Sequence, residues 1–102
     1  DGHKEGPEIK YYHISGDIKY KCFWKHGKRD GKEFEYYRNG KIESEGNWVK
    51  WSQEGKEIEY YESRQIKSEC YYEKCRKEGK EIRYYDQSGN IESECNWVDY
   101  KK

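Results

Sequence analysis

Residues 54–75 read EGKEIEYYESRQIKSECYYEKC, and nearly the same string recurs on both sides of them. Aligned on a shared glycine, the copies start at Gly6, Gly31, Gly55 and Gly79, at intervals of 25, 24 and 24 residues. A fixed period of this length indicates a repeat protein, in which one supersecondary unit is stacked on its copies. We therefore interpret residues 1–102 as a single repeat domain with units at approximately 6–30, 31–54, 55–78 and 79–102.

Each unit carries large apolar side chains at the same four positions. One lies three residues after the glycine and a tyrosine lies two residues further on, while the second half of the unit has an isoleucine and then an aromatic residue six positions later. We expect these side chains to form one apolar stripe, the structural core of the domain. They are Ile9, Phe34, Ile58, Ile82, Tyr11, Tyr36, Tyr60, Tyr84, Ile18, Ile42, Ile66, Ile91, Trp24, Trp48, Tyr72 and Trp97.

The periodicity within a unit is that of a β-hairpin. Residues 57–60 read EIEY and residues 66–72 alternate in the same way, which is typical of strands with one solvated face. The Asn39-Gly40 step between two such runs is a strong hairpin signal, because both central residues of a tight hairpin turn favour positive φ. The sequence therefore predicts an all-β fold: a single-layer antiparallel meander of about eight strands, built from four hairpin repeats of 24–25 residues.

The connections between units are less regular than the hairpin turns. The first uses Gly27, but the equivalent positions hold Trp51 and Cys75. Because neither residue suits a position that needs glycine, we expect another turn type or a longer strand at these two places.

The amino-acid composition of the chain disfavours some classes of binding partner. The chain has 41% charged and 31% hydrophobic residues, with 21 basic and 21 acidic side chains and a formal net charge of zero. No global field therefore draws in nucleic acid or an anionic membrane surface, so we expect no nucleic acid partner and disfavour a membrane. A single layer with so little apolar surface also needs to curl on itself or to be covered by a second copy or a partner.

The first residues fit the repeat frame. Residues 1–6 line up with residues 26–31, so we predict that residues 1–5 are the remnant of a preceding unit. The chain would then derive from a longer array or follow a removed leader.

The residues that could carry chemistry sit at repeated, architectural positions. Cys22, Cys70 and Cys95 are equivalent in their units, and we interpret them as structural free thiols. Cys70-x4-Cys75 makes a poor metal site, so we predict no metal, no cofactor and no catalytic residue. Unpaired thiols favour a cytoplasmic location. Cross-strand charge pairing accounts for the carboxylates of Glu43, Glu45, Glu69, Glu92 and Glu94.

A second set of aromatic side chains is the candidate binding surface. It contains the second tyrosine of each pair together with aromatics near the unit ends: Tyr12, Tyr37, Tyr61, Tyr85, Trp51 and Tyr71. Such a ladder could stack sugars or single-stranded bases, or anchor a protein partner. The alternative is aromatic packing across strands, which would stiffen a thin sheet.

Residues 22–42, which read CFWKHGKRDGKEFEYYRNGKI, resemble the variant MORN repeat of bacteria, often labelled a YwqK-type antitoxin. The resemblance extends over all four units. It implies an elongated single-layer sheet of hairpins that binds proteins or, in some members, lipids. Cys22, Cys70 and Cys95 depart from the family, which usually has glycine there.

Two functions from different classes follow from these observations. The first is a non-catalytic MORN-type module for protein–protein interaction, with an unidentified partner or through self-association, and with an antitoxin role as the specific form that the resemblance implies. The second is a carbohydrate-binding or choline-binding repeat of a cell-surface protein, in which aromatic pairs would cage the ligand by stacking and cation–π attraction.

Overall fold

A computed structural model of the chain describes residues 3–98. This part of the chain consists of strands and turns, without a helix. The strands are β1 (Gly6–Tyr11), β2 (Ile18–Lys25), β3 (Lys28–Arg29), β4 (Gly31–Tyr36), β5 (Ile42–Val49), β6 (Ser52–Gln53), β7 (Gly55–Tyr60), β8 (Ile66–Glu73), β9 (Arg76–Lys77), β10 (Gly79–Tyr84) and β11 (Ile91–Trp97).

The strands form one antiparallel sheet. Eight long strands follow one another in the order β1-β2-β4-β5-β7-β8-β10-β11, and the two-residue strands β3, β6 and β9 pair with β2, β5 and β8. The sheet measures 47 × 36 × 15 Å, and its radius of gyration of 15.3 Å exceeds the roughly 13 Å of a compact domain of this length. The predicted all-β meander of hairpin repeats is confirmed.

Each aligned glycine is the first residue of a long strand, β1, β4, β7 or β10. Gly6, Gly31, Gly55 and Gly79 have φ values of 81°, 103°, 83° and 79°. This left-handed region strains any residue with a Cβ atom, so the repeat keeps glycine at this position.

The turns between units all have the same form, so the prediction of a different turn at Trp51 and Cys75 was wrong. The pairs His26-Gly27, Lys50-Trp51 and Lys74-Cys75 all have positive φ at both residues, as a two-residue type I′ turn requires. The preceding unit holds the strained residues in place. Trp51 N donates to Arg29 O at 3.3 Å, and Cys75 N donates to Gln53 O at 3.1 Å.

The strand registers divide the predicted apolar stripe between two faces. Phe34 lies opposite Glu45, whereas Gly31 lies opposite Trp48, and directly opposed residues share a face. We call the face that carries the Ile/Phe, first-tyrosine and isoleucine rows face A, and the opposite face, with the closing aromatics, face B. The prediction of a single stripe was therefore wrong for Trp24, Trp48, Tyr72 and Trp97, which lie on face B.

A bulge in each hairpin causes this division. The register shifts between Glu35 and Tyr36, where Glu43 is the extra residue, and at the equivalent place in the other three units. One extra residue inverts the alternation, so every side chain beyond it moves to the other face.

Face B holds the buried side chains of the part that the structure describes. They are Cys22, Cys70, Ser68 and Glu81, with Gly46 beside them, and none is a large apolar residue. Five members of the predicted core are exposed instead: Ile9, Tyr11, Ile18, Ile66 and Ile91. A single layer has no second layer to cover them, so the domain has no closed apolar core within residues 3–98.

Candidate functional site

A row of glutamates organises face B. Each lies two residues after a frame glycine: Glu8, Glu33, Glu57 and Glu81. In three units the indole of the closing tryptophan donates to this carboxylate, from Trp24 to Glu8 at 2.8 Å, from Trp48 to Glu33 at 2.9 Å and from Trp97 to Glu81 at 2.7 Å. Sequence reasoning missed this row, although a glutamate at the same position in all four units was the available signal.

The residue four positions before each glutamate completes the row. Lys4, Arg29 and Lys77 form ion pairs with their glutamates at 3.6, 3.3 and 3.1 Å. All three cations also stack on tryptophan rings: the Lys4 ammonium lies 4.7 Å from the centre of the Trp24 ring, the Arg29 guanidinium 5.2 Å from that of Trp48, and the Lys77 ammonium 5.2 Å from that of Trp97. In the third unit the position holds Gln53, whose amide donates to Glu57 at 3.3 Å.

The third unit has Gln53 in place of the cation and Tyr72 in place of the closing tryptophan, and the two exchanges change the pKa of its glutamate. Burial raises the pKa of Glu57 above 4.5, and the hydrogen bonds from Gln53 and Cys70 offset burial only in part. Burial also acts on Glu81, but the bond from Trp97 and the charge of Lys77 outweigh it and lower the pKa of Glu81 below 4.5.

The repeated cysteines lie against the same carboxylates. The thiols of Cys22, Cys70 and Cys95 are 3.7 to 3.8 Å from a glutamate oxygen. Burial and the neighbouring Glu57 raise the pKa of Cys70 to about 12, so this thiol stays protonated and unreactive near neutrality. Between residues 3 and 98 no three potential ligands gather around a metal position.

The second tyrosines link each unit to the next. The hydroxyls of Tyr12, Tyr37 and Tyr61 donate to the backbone carbonyls of Tyr36, Tyr60 and Tyr84 at 2.6, 2.7 and 2.7 Å. Tyr85 is exposed, and its hydroxyl makes no hydrogen bond to the described residues. Three of the candidate binding residues are thus engaged between units, and the fourth is accessible.

The other two candidates lie elsewhere. Trp51 is half exposed at the edge formed by the inter-unit turns, where its ring packs edge-on against Trp24 with centroids 5.7 Å apart. Tyr71 lies opposite Lys56 on face A and is exposed. The structure therefore does not bring the six candidate residues together on one surface.

Face A presents an uncovered apolar surface. Six of the exposed large side chains lie there: Ile9, Tyr11, Ile18, Ile66, Tyr71 and Ile91. Between them, polar contacts join neighbouring strands: Tyr60 and Tyr84 donate to Glu45 and Glu69 at 2.5 Å, and Lys56 pairs with Glu69 at 2.9 Å. We call these six exposed residues the face A patch.

Comparison with known proteins identifies the repeat. The sequence model described as MORN repeat variant matches residues 29–50, 53–74 and 77–99. The chain belongs to the MORN repeat variant family. MORN repeats are in general non-catalytic modules that bind proteins or membranes. No curated protein matches the chain. Within residues 3–98 no helix has the length and hydropathy needed to cross a membrane.

Proposed function

We propose that this MORN repeat domain is a non-catalytic module that binds a protein partner through the face A patch. The observation that carries the proposal is that a single-layer sheet leaves rows of isoleucine and tyrosine exposed on one face, with nothing among the described residues to cover them. Exposed apolar side chains gathered on one face mark interaction sites, and tyrosine is one of the side chains that most often anchors protein interfaces.

The form of the surface favours a protein over a small ligand. Face A is one broad side of a thin sheet, whereas small-molecule sites are concave and enclose most of the ligand. Its charges also pair among themselves, as in Lys56 with Glu69 and Lys80 with Glu94. The partner is a different protein or a second copy of this chain. Antitoxin activity, in which the partner is a toxin, is the narrower form of this proposal.

The carbohydrate or choline alternative receives less support. A cage for a quaternary ammonium needs open aromatic faces. The Arg38 guanidinium already lies 4.6 Å from the centre of the Tyr12 ring, and the Lys19 ammonium lies 5.9 Å from it. A cationic ligand would have to displace these side chains.

Substitutions on face A test the proposal. Ile66→Thr with Tyr71→Thr removes two members of the patch but keeps residues that suit a strand. Ile14→Thr is the matched control, because Ile14 is 90% exposed in a hairpin turn away from face A. The three proteins are compared by affinity capture from the source organism and by light scattering, after circular dichroism has shown that each is folded.

We expect the parent and the Ile14→Thr variant to retain the same partner, or to form the same oligomer, and the double variant to lose it. Equal retention by all three proteins would contradict a binding role for face A. A parent that stays monomeric and captures nothing would contradict the proposed function itself.

A further inference from the structure

A basic cleft lies between the first two inter-unit turns. Its volume is about 430 Å3, and it is lined by Lys25, His26, Lys28, Asp30 and Lys50. By alternation from Lys21 and Phe23, Lys25 lies on the face A side of this edge. The cleft is separate from the six residues of the face A patch.

Two of the lysines face each other across the hairpin, which is unfavourable for the fold. Lys25 lies directly opposite Lys28 at the first turn. The equivalent pairs are Val49 with Ser52 at the second turn, and the oppositely charged Glu73 with Arg76 at the third. Like charges in directly opposed positions destabilise a sheet, and a local conflict without a structural gain is expected at functional sites.

The lysines of the cleft also lack the partners that most other cations have. Among the described residues, the ammonium groups of Lys25, Lys28 and Lys50 make neither an ion pair nor a cation–π contact, whereas most of the other cations make one or the other. Asp30 is the one acidic side chain in the lining. The imidazole of His26 lies 3.3 Å from Glu5, which is outside the lining.

The backbone around the cleft is held in place before any ligand binds. His26 N donates to Glu5 at 2.8 Å, and Trp51 N donates to Arg29 O across the two turns. The edge-on contact of Trp51 with Trp24 adds a second link between the same units. The fold holds these three unpaired cations close together despite their repulsion. An anionic ligand therefore meets a site that is already formed.

We propose that this cleft binds an anionic segment of a partner protein, either phosphorylated or rich in carboxylates. Ammonium groups bind phosphate and carboxylate oxygens through charge-assisted hydrogen bonds, and clusters of cations are a recurring mode of recognising such peptides. A local cluster of three lysines fits a short segment better than a membrane, since a planar anionic surface would also meet the acidic side chains of a chain with zero net charge. The proposal does not depend on face A.

The test measures binding of labelled peptides by fluorescence anisotropy. The probes are a short phosphoserine peptide, its unphosphorylated parent, a glutamate-rich peptide of the same length and vesicles of anionic phospholipid, all at about 50 mM salt, where surface charges are weakly screened. The test protein carries Lys25→Gln, Lys28→Gln and Lys50→Gln. The control carries Lys21→Gln, Lys32→Gln and Lys67→Gln, which remove the same charge elsewhere.

We expect the parent protein to bind both anionic peptides more tightly than the unphosphorylated one. The test variant should lose at least about tenfold in affinity while the control stays within about twofold. The test variant should melt no lower than the parent, because it loses a pair of opposed like charges. Equal losses in both variants, no peptide binding by the parent, or binding to vesicles but not to peptides would each overturn the proposal. None of these results bears on face A binding.

Discussion

The third and fourth units share one backbone design but differ in the partners of their face B glutamates. Glu57 meets the neutral side chains of Gln53, Cys70 and Tyr72, and burial, together with the charge of Glu59, raises its pKa. Glu81 is buried as well, yet its pKa is lowered because the hydrogen bond from Trp97 and the charge of Lys77 outweigh burial. The difference shows that, in a sheet without a closed core, the indole of the closing tryptophan and the cation four residues upstream together decide whether a buried carboxylate stabilises or destabilises the fold.

The two units also differ in their tyrosine contacts. Tyr61 donates to the backbone of the next unit at 2.7 Å, whereas Tyr85 has no such partner among the described residues. Tyrosine at this position therefore links the third unit to the fourth, whereas in the fourth unit it is accessible to solvent.

The largest expected effect comes from neutralising the two glutamates separately. Glu81→Gln should lower the free energy of unfolding by about 1.5 kcal/mol at pH 7, since the amide cannot form the charged pair with Lys77. Glu57→Gln should leave it unchanged or raise it, because the substitution removes a buried charge without a cation. Urea denaturation measures both values. Equal losses of unfolding free energy in the two variants would contradict the distinction between the third and fourth units.

The same pair predicts opposite pH dependences. The folded-state pKa of Glu81 is lowered, so its stabilisation is present above the unfolded value of 4.5 and is lost as the pH falls through the folded pKa. The folded-state pKa of Glu57 is raised, so the stability it contributes is present below 4.5 and is lost as the pH rises through the folded pKa.

We therefore expect Glu81→Gln and the parent to converge in acid, and Glu57→Gln to gain on the parent as the pH rises towards 7. Unfolding free energies measured across this range check both statements. If the unfolding free energies of the two variants changed with pH in the same way, the two carboxylates would share one environment.

Removing a single tyrosine hydroxyl tests the hydrogen bonds that link neighbouring units. Tyr61→Phe should cost about 1 kcal/mol, because it leaves the carbonyl of Tyr84 without its donor. Tyr85→Phe is the matched control and should change the unfolding free energy little. Thermal unfolding of both variants is the measurement, and indistinguishable melting temperatures would show that the tyrosine contacts do not hold the units together.

The smallest expected effect comes from giving the third unit the cation of its neighbours. Gln53→Lys should stabilise the protein by about 0.5 kcal/mol at pH 7, as a partly exposed ion pair does. The gain should disappear in the Glu57→Gln background. A gain that persists there would arise from another contact of the new lysine.

Much of the fold could be predicted from the sequence because the repeated residues carry backbone information. The glycine of each unit marks a positive φ, and the alternation within each run marks strands. The division into two faces could not be predicted in the same way. The extra residues of the bulges, such as Lys19 and Glu43, are charged like many other strand residues of this chain, so no unusual residue type marks the inversion.

The sites were predicted less well for a related reason. Trp51 and Cys75 adopt a conformation that their own side chains disfavour, because backbone bonds from the preceding unit impose it. From the sequence, Glu57 and Glu81 look like solvated strand residues. The strand register places them opposite the cysteines and beside the closing aromatics, which cover them. Both features depend on contacts between residues 13 to 22 positions apart in the chain, which local patterns do not report.

The most direct test is an NMR titration of the side-chain carboxyl carbons of Glu57 and Glu81 in the parent protein. We expect Glu57 to titrate above 4.5 and Glu81 below it, and Gln53→Lys to move Glu57 towards the value of Glu81. Carboxyls that titrate together, or in the reverse order, would contradict the claim that the closing aromatic and the residue four positions upstream set the state of each face B glutamate.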